Sequence, residues 1–187
     1  QQLTQIAGSV YAPAAGAKYP QSSLGRSLKA TAQLIKADIG LEVACVDIGG
    51  FDTHADQGGA DGHFSFLLGQ FAKSLLAFYT DLQAQMGRVT LVTMTEFGRR
   101  LRENSSGGTD HGHGSVMFVL GDNVNGGKVY SRWPGLGKDD LYGPGDLAVT
   151  TDFRDVMGEI VQKRLGNANL ATVFPNYADF QMLDLLR

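Results

Sequence analysis

Residues 41–48, LEVACVDI, and residues 89–95, VTLVTMT, decide the reading of the fold. The first is a near-continuous apolar run rich in valine, the pattern of a strand buried on both faces in a parallel sheet. The second repeats that character after a long amphipathic segment at residues 63–86. There Leu67, Leu68, Phe71, Leu75, Phe78, Tyr79 and Leu82 recur at three- and four-residue steps, one buried helix face. Gly87 is its expected stop. Upstream, Leu24, Leu28, Leu34 and Ile35 mark another helix, with Ser22 or Ser23 as N-cap and Gly40 beyond its end. Helix, strand, helix, strand in this order predicts right-handed crossovers and a parallel sheet.

Working outward, SVMFVL at residues 115–120 reads as a third strand, and Asn125-Gly126 as a turn before a short strand at 128–130. A last helix is expected at about 152–165, with Thr151 as N-cap and Gly166 as stop. The fold expected is therefore α/β, a mostly parallel sheet flanked by helices. Residues 1–20 read as an N-terminal arm or linker and residues 21–187 as a single domain.

Composition narrows the function classes. Sixteen basic against nineteen acidic residues give −3, which points away from nucleic acid and anionic membranes. No apolar run reaches the ~20 residues of a bilayer span. Glycine, at 25 of 187 residues, is about twice its usual share of roughly 7%, and it gathers in short polar connections. The single cysteine, Cys45, lies inside the first apolar run and is expected in the core. There is no Walker loop, no G-x-G-x-x-G and no G-x-S-x-G.

The chemistry-bearing residues fall at the ends of the expected strands, where open α/β sheets bind ligands. GGFDTH at residues 49–54 brings Asp52 and His54 two positions apart, a carboxylate and an imidazole able to face one cation; the plainer reading is a turn cap beside a solvated histidine. TEFGRR at 95–100 puts Glu96 at a strand end as ligand or general base and Arg99 as a holder of an anionic group; equally, the two residue types suit a structural ion pair. GTDHGHG at 108–114 offers Asp110, His111 and His113 within four residues, flanked by glycines that permit sharp turns. This last cluster is the strongest local signal for a divalent metal, with a mobile solvent loop as its plain alternative. His63 opens a helix and reads as a capping or surface residue.

In this order GGFDTH, TEFGRR, GTDHGHG, LGDNVNGGKVY at 120–130 and VFPNY at 173–177 resemble the bacterial family known as domain of unknown function 1501, placed in the alkaline phosphatase/sulfatase-like superfamily. The resemblance implies an α/β/α sandwich, incomplete here on its N-terminal side because the chain resembles the carboxyl-terminal half of a longer parent with its nucleophile upstream. It also implies a divalent metal (Zn, Mn, Mg or Ca), hydrolysis of a phosphate or sulfate ester that is a small molecule or part of a polymer, and a periplasmic or exported location. Asp52, His54, Asp110, His111 and His113 would bind metal, with Glu96 and Arg99 catalytic. The superfamily's Asp-x-x-x-His and Asp-His pairs are replaced by Asp52-Thr53-His54 and Glu96-Phe97. That departure suits a second expectation, a non-catalytic exported binding or scaffold protein using its Gly-rich loops and the Trp133/Tyr142 region.

Overall fold

The computed structural model describes residue 6, residue 8 and residues 10–187. The chain divides into two compact units, Gln1–Gln85 and Met86–Arg187.

The first unit is built on two helices that pack against each other, α1 (Ser23–Lys36) and α2 (His63–Leu82). Ser22 caps α1, its hydroxyl accepting from the Gly25 amide at 3.0 Å, and so satisfies one of the amides a helix start leaves unpaired. Leu24, Leu28 and Ala32 of α1 are buried, as are Ala77, Phe78 and Leu82 of α2. Each large apolar side chain among them contributes roughly 1.5–3 kcal/mol by leaving water.

One polar group is buried with them. Asp81 accepts from Tyr11 Oη at 2.7 Å, the Ala14 amide at 2.7 Å, Tyr19 Oη at 2.9 Å and Lys36 Nζ at 2.5 Å. Burial alone would raise its pKa, but the four donors outweigh that and hold it below the ordinary value. The same burial, followed by the hydrogen bond to Asp81, pushes Tyr19 well above the usual phenol range. Residues 11–19 are thereby tied to the two helices.

In the second unit a six-residue 3₁₀ stretch, Gln83–Arg88, begins in the first unit and leads to β1 (Leu91–Val92). β2 (Gly98–Arg99), β3 (His111–Gly112) and β4 (Val119–Leu120) follow. After a short 3₁₀ turn at Lys138–Asp140 come α3 (Phe153–Leu165) and α4 (Leu170–Val173). β1 pairs antiparallel with β4, Leu91 opposite Leu120, and β2 antiparallel with β3, Gly98 opposite Gly112. The core gathers Val124, Val156, Ile160, Leu185 and Leu186, with Val92, Val119 and Met157 packed against it. Glu159 is fully buried here. It accepts from the Leu183 and Leu186 amides at 3.0 and 2.9 Å and from Lys163 Nζ at 2.9 Å, fastening the chain's last residues to α3.

The expected mostly parallel sheet flanked by helices is not formed. Among the described residues there are four α-helices and two small antiparallel pairs of two-residue strands. Residues 41–48 form no strand; Val43 is 61% exposed, and Cys45 is exposed instead of core. Residues 89–95 and 115–120 pair over two residues each, and 128–130 form no strand. The physical reason lies in what an apolar run encodes. It records a preference for burial but cannot supply the neighbours that a parallel strand needs on both edges. The pairs that do form are nested: β2 meets β3 across the 100–110 connection, and β1 meets β4 outside them.

The helices follow local rules and agree better. α3 ends at Gly166 in the left-handed conformation (φ 66°), but its N-cap is Asp152, which accepts from the Arg154 amide at 2.9 Å, and not Thr151. Among the described residues no helix is long and apolar enough to cross a membrane.

Candidate functional site

In the first unit the GGFDTH loop alternates between anchored and outward residues. Phe51 meets Phe64 of α2 edge-on, ring centroids 5.6 Å apart. Thr53 is buried and donates from Oγ1 to Gln57 Oε1 at 2.8 Å. Two narrow turns, Thr53 N–H to the Phe51 carbonyl and His54 N–H to the Asp52 carbonyl at 2.9 and 3.2 Å, set the spacing. The residues between the anchors therefore face outward together. Asp52 Oδ1 and His54 Nε2 are 3.1 Å apart, on side chains 67% and 43% exposed. A surface pair of this kind adds less than about 1 kcal/mol to stability. Its separation fits two donors on one ion: metal–ligand lengths of about 2.0–2.2 Å put neighbouring ligands roughly 3–3.4 Å apart. His63, the first residue of α2, is exposed, as expected of a surface position.

In the second unit Glu96 sits on an exposed bend just before β2. Arg99 donates from Nη1 to the Thr109 carbonyl at 2.6 Å, so its guanidinium braces the loop between β2 and β3. Asn104 closes that loop from within: its side chain accepts from the Ser106 and Gly108 amides at 2.9 and 3.1 Å and donates to Asp110 Oδ1 at 2.9 Å. The turn is thus hydrogen-bonded from within. Two of its flanking glycines serve close approach and not sharp turning. A Cβ on Gly98 would run into the Gly114 carbonyl, and one on Gly112 would lie 2.7 Å from the Arg99 carbonyl.

The three donors of GTDHGHG engage different partners. Asp110 is held by Asn104. The His111 ring lies against Phe97, centroids 3.9 Å apart. His113 turns to Asp146, a residue with no motif around it: Nδ1 and Asp146 Oδ2 are 2.7 Å apart, and the ring's other contact is Tyr142, at 4.6 Å between centroids.

Asp146 is fixed from three sides. Its amide donates to the Tyr142 carbonyl and its carbonyl accepts from the Tyr142 amide, both at 3.0 Å. The adjoining Gly145 carbonyl accepts from the Leu101 amide at 3.1 Å, and the Leu147 carbonyl from the Gly114 amide at 3.0 Å. Its side chain is 6% exposed, and Arg100 Nε stands 3.5 Å from Oδ1. Among the described residues no hydrogen bond reaches that oxygen, which costs about 1–3 kcal/mol for a buried acceptor. In the sequence, Asp146 simply follows Tyr142-Gly143-Pro144-Gly145; nothing there signals its return to a histidine 33 positions earlier.

Residues 10–171 match the model of the family described as "Protein of unknown function (DUF1501)", and the chain belongs to that family. No curated protein and no solved structure matches it.

Proposed function

We propose that this family member is a metal-dependent hydrolase acting on a phosphate or sulfate ester. The observation that carries the reading is the Asp52–His54 pair, outward-facing at 3.1 Å, a spacing and donor set suited to a divalent cation and of little value to stability. We take His111 as a further ligand on the strength of the ordered motifs alone, and a mixture of carboxylate and imidazole donors suits zinc or manganese better than calcium. Asp110 and His113 complete the proposed set. A divalent cation held there supplies Lewis acidity, polarising an ester oxygen and lowering the pKa of water.

Around it, Glu96, exposed just before β2, acts as ligand or general base. Arg99, in β2, is proposed to contact the anionic ester. The choice of ester chemistry rests on the resemblance of the ordered motifs to the alkaline phosphatase/sulfatase-like superfamily, and the proposed exported location rests on the same resemblance.

The test is elemental analysis of the purified chain after incubation with Zn, Mn, Mg and Ca, beside His54→Ala/His111→Ala, followed by phosphate- and sulfate-ester assays. Near-stoichiometric metal that disappears in the variant is the expected result. Absence of metal from both proteins refutes the reading.

A second reading, a non-catalytic exported binding protein, is favoured by one observation: Trp133 and Tyr142 are 64% and 56% exposed, aromatic faces of the kind that stack on sugars. Glycan binding that survives His111→Ala would favour it.

A further inference from the structure

We infer that Asp146 is a positioning residue that holds His113 as the Nδ1–H tautomer and so presents its Nε2 lone pair as a ligand for a borderline divalent cation such as zinc. The inference rests on the metal reading above and adds to it a residue that no motif marks.

An ionised carboxylate can only accept hydrogen bonds, so the 2.7 Å contact between Asp146 Oδ2 and His113 Nδ1 requires the proton to sit on Nδ1. Its length is that of a charge-assisted bond. The neutral ring then carries its lone pair on Nε2. The two ends of the pair differ sharply in exposure: the carboxylate is 6% exposed and the imidazole 58%. A buried carboxylate holding one nitrogen while the ring faces outward is the arrangement in which metal-binding histidines are oriented by a second group.

Stability does not account for the pair. Oδ1 of Asp146 is buried with no hydrogen bond from the described residues, and Arg100 Nε, at 3.5 Å, balances its charge without giving it one. Where burial leaves a carboxylate half satisfied, an apolar side chain would serve packing better. The backbone nevertheless fixes it on both sides through Tyr142 and through the residues beside it. The Tyr142 ring against His113 restricts the imidazole further. The carboxylate is thus held by its backbone, and among the described residues its tight side-chain partner is His113 Nδ1.

The experiment measures the tautomer and the metal separately on the whole chain. Long-range ¹H–¹⁵N spectra of metal-free protein, recorded in mildly alkaline buffer where imidazoles are neutral, read which nitrogen of His113 carries the proton. Zinc affinity is measured by competition with a chromogenic chelator, and circular dichroism checks that the variants fold. In the wild-type chain, Nε2 is expected to be the unprotonated nitrogen. In Asp146→Asn, whose amide can donate to Nδ1, the proton is expected to move to Nε2 and zinc affinity to fall about 10–100-fold; His113→Ala should lose at least as much.

An unchanged tautomer in Asp146→Asn overturns the inference, as does a changed tautomer with unchanged zinc affinity. If Asp146→Asn fails to fold, Asp146→Glu, which keeps the acceptor, replaces it: a retained tautomer with weakened zinc binding supports the inference, and a lost tautomer with intact binding overturns it. A wild-type chain that takes up no zinc sinks the metal reading instead. That failure is recognisable because the tautomer measurement needs no metal.

Discussion

Asp81→Asn should be the most damaging isosteric change in the first unit, and the structure gives its size. The side chain of Asp81 is fully buried, and Oδ1 accepts from Ala14 and Lys36 while Oδ2 accepts from Tyr11 and Tyr19. Asparagine keeps the shape. Its oxygen can remain with the amide and the ammonium, and its NH₂ can face the two hydroxyls, which rotate to accept. What disappears is the charge. Hydrogen bonds to charged groups contribute about 1.5–3 kcal/mol against 0.5–1.5 for neutral ones. Four bonds, discounted because Lys36 is 28% exposed, give a loss of about 2–4 kcal/mol. For a unit of this size that is a fall of roughly 10–20 °C in Tm. Urea and thermal unfolding followed at 222 nm report it, since α1 and α2 supply much of the helix signal. The effect should also depend on pH. The native pKa of Asp81 lies below its ordinary value of 3.8, so its contribution is complete above that value and is lost as the pH falls through the lowered native pKa. Wild type should therefore lose stability below about pH 4 more steeply than the variant. The Lys36→Met background should absorb part of the loss. A cost under about 1 kcal/mol, or the same loss with and without Lys36, would refute the idea that this carboxylate ties residues 11–19 to the helices.

Gly98→Ala places a methyl group against the Gly114 carbonyl, and overpacking against backbone should cost at least about 1–3 kcal/mol, read as a lower urea midpoint with unchanged m. Glu159→Gln should speed hydrogen exchange at the Leu183 and Leu186 amides, which donate to it, while leaving amides of α1 untouched. Tyr177 donates to Asp155 at 2.7 Å, which pushes its phenol up to about 12; the associated stability is complete below pH 10 and is lost as the pH rises from there through about 12. Ultraviolet titration should find this phenol among the late ones, with Tyr19, and Asp155→Asn should bring Tyr177 alone back toward 10.

How much of this was legible in the sequence follows from the range over which each feature is determined. The helices are local objects. The three-and-four spacing of Leu75, Phe78 and Leu82, the Ser22 cap and the Gly166 stop needed no distant partner, and all of them appear in the structure. The shift from Thr151 to Asp152 is a competition between neighbouring oxygens, decided by the bidentate hold of Arg154 on Asp152. The sheet is non-local, and there the sequence misled: Val43 and Cys45 look like a buried strand, yet no described residue pairs with them.

The same division runs through the candidate site. Asp52 and His54 were legible because alternation around Phe51 and Thr53 is itself a local pattern. Their pairing at 3.1 Å follows from it. The residues that arrange GTDHGHG were not legible. Phe97 under His111, Asn104 holding Asp110 and Asp146 behind His113 carry no motif, because each acts by where the chain returns and not by its neighbours. Substitutions confined to the motif histidines therefore test which atoms are ligands. Only changes at Asn104 and Asp146 test whether the chain presents those atoms in a fixed orientation. If the second class of variant leaves binding intact, the loop is a set of donors that a metal must organise for itself. If it does not, the organisation is already present in the chain, and the long polar connection between β2 and β3 is part of the site.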